Sequence, residues 1–311
     1  MGTDIELFVS RELEAVGGDA RRFRPDRSKG RHRRLAPGVF VEARAFGELP
    51  DRQQHLLRAR AVTGRQHGDV LALHSAAALW GLPLLSRFPP QVHLLGAPGA
   101  ADGLETVRHR DHLVPGDVVE HEGFLVTSLE RTVLDLARLA SAEDAVCALD
   151  HVLRSAPGTG VSLVERLQLE RRLAGLAGHR GVKQARFVVA FADGAAESPG
   201  ESVSRLRMLR CGIPTPTLQA EYRDARGLIG RVDFAWPDQR LVGEFDGLTK
   251  YRDLRLLRDA DPAHAVIREK LRENRLRATG LRVVRWTFAD LREPHALCTL
   301  LREAGLHSPT H

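Results

Sequence analysis

The stretch GRVDFAWPDQRLVGEFDG, residues 230–247, reads as two apolar strands joined by a turn, yet it carries Asp233, Glu244 and Asp246 within the strands. Pro237, Asp238, Gln239 and Arg240 form a link of turn-favouring residues, so 230–236 and 241–246 are expected to fold back on each other. A turn centred between Asp238 and Gln239 sets Asp233 opposite Glu244. Directly opposed side chains have β-carbons about 4.5–5.5 Å apart, and a slip of two residues makes the pair diagonal at about 7–8 Å. Alternation along the strand puts Val242, Glu244 and Asp246 on one face and Leu241, Gly243 and Phe245 on the other. Three carboxylates then converge, and each raises the pKa of the others unless a cation lies between them. A hard divalent ion such as magnesium, held by one or two carboxylates together with water and phosphate oxygens, suits that arrangement. The alternative is that the acids pair with Arg231, Arg240 or Arg285 at the end of a sheet.

Around this hairpin the pattern predicts an α/β unit. A helix from Glu201 to Arg210 follows ADGAAESPGES, then a strand over 217–223, the hairpin, a helix over 262–279, a strand over 281–287 and a last helix from Pro294. Ser198-Pro199-Gly200-Glu201 has the form of a capping box with proline at the first helical position. Glu201 is therefore either a cap or a third acid of the site. On the helix 262–279, Glu269, Arg272 and Glu273 lie on neighbouring turns, the spacing of a solvated, salt-bridged face.

The 311 residues, 43% apolar and 28% charged, suffice for two or three cores, and no apolar run approaches the roughly 20 residues a membrane-spanning helix needs. MGTDIELFVSRELEAV has acids within its apolar stretch and no basic leader, so a cytoplasmic protein with no membrane partner is expected. Cys147, Cys211 and Cys298 are odd in number, far apart and in no CxxC spacing, and are read as buried or half-buried thiols. The net charge of +6 comes from arginine far more than from lysine, and the arginine fork suits phosphate oxygens.

Charge is concentrated in RRFRPDRSKGRHRR, residues 21–34, where Arg21, Arg22, Arg24, Arg27, Lys29, Arg31, Arg33 and Arg34 face a single acid, Asp26. Before it, Ile5, Phe8, Val9, Leu13 and Val16 fall at helical spacing; after it, RRLAPGVFVEA reads as strands around a Pro37-Gly38 turn. Helix, basic connector and β-ribbon in that order describe a winged helix that meets duplex DNA mainly through phosphates; the alternative is a solvated charged loop. The middle of the chain reads as scaffold: a small-residue helix ending at Trp80-Gly81, strands in QVHLLG, GLETVRH and GFLVTS, and a helix capped by Ser128. His109 and His112 have no third ligand in sequence and are given a structural or surface role. Turn clusters near 155–160 and 192–200 divide the chain into 1–50, a winged-helix-like region; 51–155, a small α/β scaffold; 156–194, a helical connector; and 195–306, the α/β unit.

ESPGES, RVDFAWPDQRLVGEFDGLTKY and REKLRENRLRATGLRVVRWTFADL together resemble the very-short-patch-repair-related branch of the PD-(D/E)xK nuclease superfamily, over roughly residues 195–305. LAPGVFVE, LALHSAAALWGL and VTSLERTVLDLA more loosely resemble the AbiEi-type antitoxin family, with a winged helix and a small α/β domain. The first resemblance implies a restriction-endonuclease-like mixed sheet flanked by helices, and a magnesium- or manganese-dependent DNA endonuclease. In it Asp233 and Glu244 are the metal-binding acids, Asp246 adds to them, Glu201 is the helix-borne acid, and Glu269 and Arg272 lie beside the site. The lysine expected two residues after Glu244 is Asp246 here, so Lys250 or Lys270 is the candidate cation. The alternative is a DNA-binding regulator or antitoxin with an inactive nuclease-like domain; RNA as substrate stays open.

Overall fold

The structure is a computed structural model that describes residues 5–10, 31–64, 68–96, 103–156, 160–247, 262–293 and 295–307. It is a mixed α/β protein in two compact units, one built from residues 1–141 and 167–186, the other from 142–166 and 187–311. No described helix is long and apolar enough to cross a membrane.

In the first unit, β1 (Phe8–Val9), β2 (His32–Ala36) and β3 (Val39–Glu42) form a small sheet in the order β1-β3-β2. The helical spacing around Phe8 and Val9 is not realised at these two residues. They pair antiparallel with Phe40 and Val39 instead, because a free edge of the β2–β3 ribbon offers backbone partners that outweigh local periodicity. The ribbon itself forms at Pro37-Gly38 as the turn chemistry predicts, Gly38 taking φ +75°. Helices α1 (Ala43–Glu48), α2 (Asp51–Thr63) and α3 (Leu73–Trp80) follow, and Gly81 ends the last in the left-handed conformation. A second sheet has the order β6-β5-β4-β8-β7, from β4 (Val70–Leu71), β5 (Val92–Leu95), β6 (Thr106–His109), β7 (Val118–His121) and β8 (Phe124–Thr127). Leu35, Val41, Phe46, Leu71, Leu94 and Val126 share one core beneath these elements. Helix α4 (Leu129–Leu139) begins at the Ser128 cap, and its Arg131 and Arg138 are buried in a charge network with Asp111, Asp117 and Asp135.

The second unit holds α5 (Ala142–Leu153) and a four-stranded sheet of order β12-β11-β10-β9, made of β9 (Thr217–Asp224), β10 (Gly227–Trp236), β11 (Leu241–Asp246) and β12 (Arg282–Thr287). Helices α6 (Arg166–Ala174) and α7 (Val182–Phe191) precede this sheet in the chain. Helix α8 (Pro199–Arg210) leads into the sheet, and α9 (Pro262–Ala278) lies between β11 and β12, which pair in parallel. Helices α10 (Phe288–Arg292) and α11 (Ala296–Glu303) close the unit. The sheet has a core on each face. Leu241 and Phe245 join Phe234, Trp236, Val203, Met208, Trp286 and Leu301 on one side, while Val242 joins Ala235 and Leu276 of α9 on the other. Trp286 is core, with its indole N–H donating to Ser204 Oγ at 2.7 Å. Gly200 is required at the start of α8, because a Cβ there would run into the Phe245 ring.

The cysteine reading needs correcting. Cys211, at the end of α8, and Cys298, in α11, form a disulfide across a sequence separation of 87, and only Cys147 stays a buried thiol among the described cysteines. The packing of the last helix on α8 brings together two residues whose distance in sequence concealed the pair.

Candidate functional site

The hairpin has the register the turn dictates: Trp236 faces Leu241, Ala235 faces Val242 and Phe234 faces Gly243. Pro237–Gln239 make a single 3-10 turn and Arg240 completes it at φ 48°. Beyond Phe234 and Gly243 the paired positions give way to a side-chain contact, as the Asp233 carboxylate accepts the Phe245 N–H at 2.8 Å. This ties Asp233 to the backbone of the strand that carries Glu244.

Glu244 is buried, 6% exposed, on the face turned toward α9. Two guanidinium groups reach it. Arg272 of α9 bonds one carboxylate oxygen, and Arg285 of β12 lies 2.8 Å from the other. Arg285 arrives there because β11 and β12 are parallel and in register, with Glu244 beside Arg285 and Asp246 beside Thr287. Arg272 also grips Glu269 two-pronged, at 3.0 and 2.8 Å, and Arg285 bonds Glu269 and forms ion pairs with Glu273 at 3.3 Å and Asp246 at 3.7 Å. The result is a network of Glu244, Glu269, Glu273 and Asp246 threaded by Arg272 and Arg285.

The electrostatics follow from depth. Burial lifts the Glu244 carboxyl above its ordinary range, against the pull of Arg272 and then Arg285. Glu269, nearer solvent, is held down at about 2, first by its hydrogen bond from Arg272. The Arg272 charge is reinforced by the Glu269 hydrogen bond and then, against desolvation, by Glu244. The Arg272 and Arg285 charges oppose the cost of burying Glu244 without cancelling it, while their own charge is reinforced by the acids around them.

Glu201 is 3% exposed at the start of α8. One of its oxygens accepts from the Ser198 hydroxyl at 2.7 Å, and the other from the Glu197 N–H at 2.9 Å and Gln219 Nε2 at 2.8 Å. Ser198 caps α8 by accepting the Glu201 N–H at 3.3 Å, but Glu201 reaches back to the Glu197 N–H rather than to that of Ser198, so the reciprocal half of a capping box is not formed. The Asp233 charge lies close enough to act on Glu201, whose carboxyl is raised first by burial and then, against its hydrogen bond from Glu197, by that charge. Gln219, which sequence reasoning did not single out, takes the left-handed φ of 53° as it donates to Glu201. A non-glycine residue there is unusual and only tertiary packing selects it.

The remaining candidates are spread more widely. Lys270 is on an exposed position of α9, and Lys250 lies outside the described residues. Of the basic segment, Arg21, Arg22, Arg24, Arg27 and Lys29 also lie outside them; Arg31 is exposed, Arg33 stacks over Phe46 at 5.1 Å, and Arg34 pairs with Glu105 at 3.0 Å. His109 meets His93 at 2.9 Å rather than acting with His112.

As donors, Asp233 and Glu244 suit a hard divalent ion. Among the described residues no group of three or more His, Cys, Asp or Glu is gathered to hold one, but magnesium needs only one or two protein carboxylates, the rest of its shell being water and substrate oxygens. The pair fits on that count, with the guanidinium groups now filling the cation's role at Glu244.

No family model matches the chain. It is similar to two proteins of Mycobacterium tuberculosis whose descriptions read uncharacterized, MT2308 of strain CDC 1551 and Rv2248 of strain H37Rv. Each is 34% identical over 230 residues, covering 73% of this chain and 78% of the relative.

Proposed function

We propose that this chain, which belongs to the family of these two mycobacterial proteins, hydrolyses phosphodiester bonds of DNA with a divalent metal ion. On this reading the second unit is an endonuclease domain. Residues 1–50 are a winged-helix-like region that meets the duplex through Arg31, Arg33, Arg34 and the basic residues before them. The work is done in the cytoplasm.

One observation carries the proposal: on facing strands of a single hairpin, Asp233 accepts the N–H of the residue after Glu244, and Glu244 itself is gripped by Arg272 and Arg285. Asp233 and Glu244 are the residues that would hold the ion, with Asp246 at the rim. Magnesium, or manganese in its stead, supplies a Lewis acid for the phosphate oxygens and acidifies the attacking water. The chain's own residues do the rest. The Phe245 N–H orients Asp233. Arg272 and Arg285 hold the two oxygens of Glu244, and their remaining N–H groups can answer charge growing on the phosphate. They thereby take the part for which a lysine is expected at position 246, with Lys250 and Lys270 as further cations.

A second reading is favoured by the same contacts. Both Glu244 oxygens are on arginines and both Glu201 oxygens are on hydrogen-bond donors, which is how a nuclease-like domain kept only for DNA binding, in a regulator or antitoxin, would look. Plasmid nicking across magnesium and manganese separates the two. Cleavage by the wild type that disappears in Asp233→Ala and Glu244→Gln supports the enzyme. Absence of cleavage with either metal, with binding to a promoter fragment retained, ends that reading in favour of the regulator.

A further inference from the structure

The turn between β9 and β10 and the outer side of α9 enclose a groove of about 510 Å³. Its composition is unusual for a solvent-facing helix. Arg226, Arg268 and Arg275 supply cations, while Leu271 and Ile229 supply apolar wall, with Arg272 at the end that reaches Glu244. Leu271 is 57% exposed and Ile267, one turn before it, 53%, so the apolar side chains form a ridge beside the basic one rather than filling a core.

The cations differ in what already holds them. Arg275 is neutralised by Asp224, gripped at 2.6 and 2.8 Å, and so braces the groove floor. Arg226 is 74% exposed and its guanidinium stands 3.8 Å from Asp224. Arg268 is exposed and forms no ion pair with any described residue. Two guanidinium groups therefore face solvent beside an uncovered apolar strip.

That pairing selects a partner. A nucleic-acid duplex presents phosphates and keeps its bases stacked inside, which satisfies Arg226 and Arg268 but leaves Leu271 and Ile267 facing water. An unpaired strand offers both, phosphates to the arginines and base faces to the apolar strip. We propose that this groove binds a single strand of nucleic acid, phosphates on Arg226 and Arg268 and bases against Leu271 and Ile267, and leads it along Arg272 to Glu244. The inference rests on the reading that this unit acts on nucleic acid.

The test is fluorescence anisotropy of the full chain in EDTA with labelled oligo-dT, oligo-U and a mixed-sequence duplex. Arg226→Ala with Arg268→Ala should weaken single-strand binding at least tenfold and flatten the slope of log K against log salt by about 1.4, at about 0.7 for each phosphate no longer neutralised. Leu271→Glu should weaken the strands and leave the duplex little changed, and circular dichroism should show each variant folded. The relative loss on oligo-dT and oligo-U tells which nucleic acid is preferred. Strand binding equal to wild type in both variants overturns the proposal, as does an equal loss on the duplex. So does an effect confined to sedimentation, which would make the occupant a second copy of the chain. Asp233→Ala should bind strands normally. If nicking is absent throughout while strand binding follows Arg226, Arg268 and Leu271, hydrolysis is refuted and the groove stands; intact nicking with unaffected strand binding refutes the groove alone.

Discussion

At the residue scale the decisive group is Glu244, a buried carboxyl gripped by Arg272 and Arg285. Removing one cation leaves a desolvated anion half-paired, so Arg272→Ala should cost about 3 kcal/mol of the second unit's stability in urea unfolding. The exposed pair Arg223–Glu221, 3.7 Å apart with both side chains more than half in solvent, is the control, and Arg223→Ala should change stability by less than about 0.5 kcal/mol. Equal effects would mean that burial at Glu244 is not what the contacts imply. Much of this arrangement is legible in the sequence. Alternation along LVGEFD assigns Glu244 and Asp246 to one face and Phe245 to the other, and the turn chemistry of PDQR sets the register. Gln219 is not legible, since no local pattern calls for a left-handed glutamine.

At the scale of elements, close approach and histidine burial make separate predictions. Helix α8 lies against the Phe245 ring with only a hydrogen at Gly200 between them. Gly200→Ala should therefore overpack the contact and destabilise the second unit by about 1–3 kcal/mol, read as a lowered unfolding midpoint. In the first unit, β5 and β6 bring His93 against His109, and His55 donates Nδ1–H to the Pro89 carbonyl while its Nε2 meets the Ser75 hydroxyl at 2.7 Å. Burial, with the neighbouring imidazoles His74 and His109 adding to it, drives His93 down to about 3; burial drives His55 to about 4. Both are neutral when folded, whereas the unfolded chain takes up protons below about 6.5. Their contribution to stability is whole above that value and falls as the pH drops toward 4. The protection factors of the Val92–Leu95 amides should fall as the pH drops from 6.5 to 5, and His93→Gln should flatten that dependence. A pH-independent rate of opening would contradict the burial of these rings.

At the scale of the whole molecule, the Cys211–Cys298 link closes a loop of 87 residues that contains every strand of the second unit. In the chain-entropy account such a loop contributes roughly 4.6 kcal/mol by restricting the unfolded state. Reduction, or Cys298→Ser, should lower the unfolding midpoint of the second unit and leave that of the first unchanged. A shift shared equally by both units would show that the two do not unfold as separate bodies. What the sequence determined by itself were the features set by neighbours along the chain: the order of strands and helices from Pro199 onward except the short helix Phe288–Arg292, the hairpin register, the two faces of LVGEFD and the Ser198 cap. Backbone geometry and side-chain alternation act within a few residues, so the local chain holds everything these features depend on. Only the tertiary structure decided that Arg285 would lie beside Glu244, that Cys211 would meet Cys298, that His93 would meet His109 and that Phe8 and Val9 would leave a helical pattern for a sheet edge. Each of these depends on which distant elements pack together, a choice made by the burial of whole faces and the pairing of free strand edges rather than by any local preference.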